Sequence, residues 1–88
     1  MKSGPKPRPS VAVVTRQSAF FTRYSVEFTD PKGRDRRTVI ATVYEDKSPT
    51  LLQHPVRGRI CKLREDRHSV ILPIVEEAIK NAMATSVL

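Results

Sequence analysis

Cysteine occurs once in these 88 residues, tryptophan not at all, histidine twice and glycine three times. Cys61 alone closes no intramolecular disulfide, which fits a reducing compartment. With His54 and His68 it forms no CxxC or HxxxH spacing of the kind that holds a metal. Gly4, Gly33 and Gly58 stand apart, so there is no glycine-rich loop to cradle a nucleotide phosphate. No apolar run approaches the roughly 18 residues that span a bilayer, and the N-terminus lacks the apolar core of a signal peptide. Nor does any nucleophile share a motif with a base, since Glu76 and Glu77 occupy neighbouring, divergent positions on a helix. Together these absences point to a non-enzymatic cytoplasmic protein with no cofactor, no metal and no membrane association.

What the chain does have is positive charge: 16 Lys and Arg against 9 Asp and Glu, a net +7. The excess is confined to residues 1–68, because the last twenty hold only Lys80 against Glu76 and Glu77. A one-sided basic field attracts polyanions and bears on partners rather than on fold.

The first ten residues, MKSGPKPRPS, contain three prolines, three cations and no apolar residue beyond Met1. A segment that buries nothing cannot offset its ordering entropy, so residues 1–9 are expected to be a flexible arm ahead of a single domain spanning 10–88. In that domain, Ser10–Arg16 and Arg23–Asp30 alternate with period two, the latter placing Tyr24, Val26 and Phe28 on one face. Asp30, Pro31 and Gly33 supply a tight reversal into a third strand, Arg37–Glu45. RQSAFF, between the first two strands, lacks glycine and proline and suggests a bend or bulge. Residues 46–55, with two prolines, read as a loop, and Val56–Leu63 as a fourth strand. Ser69 is the candidate cap of a helix with Leu72, Val75, Ile79 and Ala82/Met83 as its apolar stripe and Pro73 in its first turn. The expected fold is therefore α+β: a small antiparallel sheet of about four strands with a C-terminal helix on one face. The third strand is apolar on both faces, so a homodimer that buries the second face or pairs an edge strand would supply the missing cover.

Three basic patches remain as candidate binding residues: Lys2, Lys6 and Arg8 in the arm; Lys32, Arg34, Arg36 and Arg37 at the hairpin; and Arg57, Arg59, Lys62, Arg64 and Arg67 in the fourth strand and its exit. Arginine's planar fork suits bidentate phosphate contact in a way that lysine does not. Phe20 and Phe21, if they lie at an exposed bend, are candidates to stack on unpaired bases.

The 17-residue stretch RYSVEFTDPKGRDRRTV resembles the strand–turn–strand hairpin of the phage integrase arm-binding domain, which implies a sheet that reads the major groove with a helix behind it. GPKPRP resembles the Pro/Arg core of minor-groove AT-hook arms, though without Arg-Gly-Arg-Pro, and the opening of some phage HNH endonucleases, though without their ligands and catalytic histidine. The order of four strands and then a helix is similar to a coactivator-type single-strand-binding domain. The expected function is a small, accessory or regulatory nucleic-acid-binding protein. The alternative is a small phage-type inhibitor or adaptor, for example host-defence or anti-CRISPR-like, that binds an acidic protein surface or a host nucleic-acid–enzyme complex.

Overall fold

A computed structural model of the chain describes residues 9–33 and 35–86. The arm ahead of Pro9 and the hairpin residue Arg34 lie outside the described residues. The elements are β1 (Val11–Gln17), β2 (Phe21–Thr29), β3 (Arg36–Tyr44), β4 (Leu51–Val56), β5 (Arg59–Lys62) and α1 (Glu65–Ser86). The strands form one antiparallel meander in the order β1-β2-β3-β4-β5, so the fold is α+β with five strands rather than four.

The alternation in β2 dictates the core. Tyr24, Val26 and Phe28 are buried, and their cross-strand partners Ala41 and Val39 lie beside them on the same face. Leu52, opposite Ala41, extends that face into β4. Against it α1 packs Ile71, Val75, Ala78 and Ile79, with Leu63 closing the corner where β5 turns into the helix. Each fully buried Leu, Ile, Val or Phe contributes about 1.5–3 kcal/mol relative to exposure, so a core this small depends on every member.

The extra strand lies where the sequence suggested a loop. Residues 51–56 pair with both β3 and β5, and the reversal between Val56 and Arg59 is a two-residue turn. Arg57 and Gly58 both take positive φ, 50° and 81°, the conformation that matches the twist of a tight hairpin. Pro55 is tolerated because β3 pairs only as far as Gln53, so the proline sits where β4 has no partner on that side.

The helix also begins earlier than the Ser69 cap implies. The Arg64 carbonyl accepts the first helical bond from the His68 N–H at 2.8 Å. Ser69 lies inside α1 and its hydroxyl donates to the Glu65 carbonyl at 3.1 Å. Pro73 consequently falls in the helix interior on the exposed side, where it deprives the Ser69 carbonyl of its donor. The buried stripe is Ile71, Val75, Ala78 and Ile79; Leu72 is half-buried and Met83 exposed. The β1–β2 connection is tighter than a bend: the Ser18 N–H donates to the Phe21 carbonyl at 2.9 Å, and the Ser18 hydroxyl oxygen accepts from the Phe20 and Phe21 N–H groups. A side-chain oxygen here does what glycine or proline does in other turns.

No described helix covers the second sheet face. Its β3 members Ile40 and Tyr44 are half-buried and Thr42 is buried by neighbouring side chains, which leaves less apolar surface for a second copy to cover than β3 alone suggests. Truncating Ile71 to Ala should lower unfolding free energy by about 2–5 kcal/mol in a denaturant titration. Val70→Ala, one residue away on the exposed side, should change it by less than about 0.5 kcal/mol. Equal effects would show that the helix docks in a different rotation.

Candidate nucleic-acid interface

Asp30 follows β2 directly, and its side chain is buried to 4% exposure. Its Oδ1 accepts from the Lys32 backbone N–H at 2.9 Å, which fixes the turn, and its Oδ2 accepts from Arg37 Nε at 2.6 Å and from Arg67 Nη2 at 3.0 Å. The carboxylate thus ties the β2–β3 turn, β3 and the first turns of α1 to one point. The Lys32 N–H first, then the Arg37 and Arg67 guanidinium groups, hold its pKa down at about 2, outweighing the burial that pushes it up.

The meander then decides where the other cations go. In an antiparallel series alternate turns share an end of the sheet. The β2–β3 turn, with Lys32, therefore lies at the same end as the β4–β5 turn, with Arg57 and Arg59, because β4 runs from Thr42 towards Arg37 along β3. The first turns of α1 reach that end through Arg67. Pro9 is there too, its carbonyl accepting from Arg36 Nη2 at 3.3 Å. Two of the basic patches thus converge in the structure. The third, Lys2, Lys6 and Arg8, lies outside the described residues, as does Arg34.

An open cleft of about 490 Å³ at this end is lined by Lys32, Arg37, His54, Arg64 and Arg67 around Asp30. Arg64 is 87% exposed and lies 3.8 Å from Asp66, while Arg37 keeps a 55% exposed side chain despite its bond to Asp30. Lys32, Arg57 and Arg59 are exposed and have no carboxylate partner among the described residues. Glu65 and Asp66 in the first helical turn offset part of this field while complementing the helix dipole.

The remaining candidates lie on the sheet face without the helix. Arg36 is engaged there, bonding Glu27 at 3.0 Å and Thr29 Oγ1 at 3.2 Å. Lys62 sits on the same face, opposite Gln53 on the edge strand. Phe20 is 77% exposed at the far end of the sheet, and Phe21 is half-buried with its ring 6.3 Å from Tyr44, edge to face. Two residues that patch counting overlooked stand beside them: the Arg16 and Arg23 guanidinium carbons lie 5.9 and 5.1 Å from the Phe21 ring centroid. Both were isolated cations in strand sequences, and only the β1–β2 register brings them together.

His54 and Cys61 face one another across β4 and β5, and among the described residues no group of three or more His, Cys, Asp or Glu is placed to hold a metal. No described helix is long and apolar enough to cross a membrane. Compared with family models, curated proteins and solved structures, the chain matches none of them.

The Asp30 cluster makes a pH prediction. The folded pKa of about 2 lies below the ordinary 3.8, so its stabilisation is complete above pH 4 and is lost as pH falls from there through 2. Thermal melts across that window should show a falling Tm in the native chain and a much flatter profile in Asp30→Asn, which should also melt lower at neutral pH. Asp46, pulled down by the Ser48 hydroxyl and N–H, supplies the residual slope. Parallel profiles would mean that Asp30 is not the group that titrates.

Proposed function

We propose that this chain is a small, non-enzymatic nucleic-acid-binding protein of the cytoplasm, accessory or regulatory in role, that contacts phosphates through the basic end of its sheet. The observation that carries the reading is the convergence on one end of two turns and a helix start, where Lys32, Arg57 and Arg59 are exposed and have no carboxylate partner among the described residues. All three cost little to leave in water and form no ion pair among the described residues, which leaves their charge available to an external anion. Arg37 and Arg67 are held rigid by Asp30. Fixed guanidinium groups lose less entropy on meeting a phosphate than free ones do. An acidic protein surface would use the same cations in the inhibitor or adaptor reading, and salt dependence separates the two, because phosphate contacts release condensed counterions.

The test is the triple variant Lys32→Gln, Arg57→Gln, Arg59→Gln in mobility-shift titrations over a range of salt. Its thermal stability should match the native chain, since all three are surface positions. Affinity should fall for every sequence alike and the slope of log K against log salt should shrink by about 2–3. Unchanged affinity and slope would remove the basic end from the reading.

A further inference from the structure

The sheet face opposite α1 carries Arg16, Arg23, Arg36 and Lys62 against one acid, Glu27, already paired with Arg36. At its far end Arg16 and Arg23 share the Phe21 ring, and neither has a carboxylate partner among the described residues. Arg23 is oriented by its Nε, which donates to the buried Thr42 hydroxyl at 3.4 Å. Two like charges gathered at one ring repel each other, and an anion between them would relieve that repulsion. Phe20 projects from the adjacent turn with 77% of its surface exposed, held there by the Ser18 hydroxyl bond to its N–H.

Arg36 and Phe21 mark the two ends of a line along β2, with Lys62 to its side on the edge strand. From Thr29, beside Arg36, to Phe21 is eight steps along β2, or about 26 Å at ~3.3 Å per residue. Ser25, Thr38 and Gln53 offer hydrogen bonds between the two cationic ends, with Val13 and Ile40 as apolar patches among them. A second copy docking here would set the same four cations against themselves, whereas a polyanion meets them with opposite charge. A duplex hides its base faces; an unpaired strand offers both phosphates for Arg16 and Arg23 and a base for Phe20.

We propose that the open sheet face is a track for single-stranded nucleic acid, entered at the basic end and closed at the far end by Arg16 and Arg23 on a phosphate and Phe20 on an unpaired base. It rests on the nucleic-acid reading above and specifies the form of the polymer. The experiment is fluorescence anisotropy with a labelled ~12-nucleotide single strand, within the length range of sheet-based single-strand sites, and with its duplex, on the native chain, Phe20→Ala and Arg16→Gln. Both substituted positions are exposed, and melts confirm folding. Phe20→Ala should weaken single-strand binding by about tenfold, the typical loss of one stacked base, and leave duplex affinity alone. Arg16→Gln should lower the single-strand salt slope by up to about one. Single-strand binding untouched by both variants, while the basic-end variant still loses affinity, would overturn the track and leave the broader reading standing. A native chain that binds neither polymer would overturn both. A native dimer that Phe20→Ala or Arg16→Gln converts to monomer would overturn the track by giving the face to a second copy.

Discussion

The buried carboxylate of Asp30 is the contact on which the arrangement of this molecule turns. A lone buried charge would be prohibitive, yet this one receives a backbone N–H and two guanidinium groups from three separate segments. It sets the conformation of the β2–β3 turn, draws the Arg37 side chain to the same carboxylate oxygen as Arg67 of the helix, and fastens the start of α1 over the same end of the sheet. Leu63 and Ile71 are then carried into the core on either side of Arg67. One acid thereby converts two mutually repelling arginines into a fixed basic wall.

The meander sorts charge along the sheet. Its second and fourth connections, at one end, hold Lys32, Arg57 and Gly58 with the acids Asp30 and Asp35; its first and third, at the other, hold Ser18–Phe20 and Glu45, Asp46 and Lys47. The turn cations Lys32 and Arg57 are thereby gathered at one end, while Arg16 and Arg23 at the other end come from the strands themselves. The two sheet faces are sorted as well: one is apolar and sealed by α1, the other mixes arginine, threonine and half-buried aromatic rings. A surface of the second kind is too charged to be a core and too apolar to be only solvated skin, which is the composition of nucleic-acid contact surfaces.

Much of this was legible in the sequence, and the rest was hidden for identifiable reasons. The period-two run of Tyr24, Val26 and Phe28 announced its buried face, and Asp30-Pro31-Lys32-Gly33 announced its turn, because local sterics and a side-chain acceptor decide both. Residues 51–55 read as part of a loop because Pro49 precedes them and Pro55 ends them, and Arg57-Gly58, which stands in place of the usual Asn-Gly or Asp-Gly, hid the turn inside the expected fourth strand Val56–Leu63. The start of α1 was obscured because Arg64, a weak cap, occupies the N-cap while Ser69 offers a better one inside the helix, and Pro73 seemed to require a nearby N-terminus. The basic patches were visible as residues. Their convergence was not, since it follows from register and strand order. Arg16 and Arg23, seven apart in sequence, escaped notice for the same reason: a bulge between Val14 and Arg16 puts them opposite each other.

The central claim, that a polyanion is received by the basic end and the open sheet face, is tested most directly by backbone amide chemical shifts recorded while the protein is titrated with a single-stranded oligonucleotide. The account predicts shifts at Lys32, Arg37, Arg57–Arg59, Arg64 and Arg67 and along Arg16–Arg23, with the exposed helix positions Glu76, Glu77 and Lys80 unmoved. Shifts gathered on the outer face of α1, or none at saturating oligonucleotide, would contradict it.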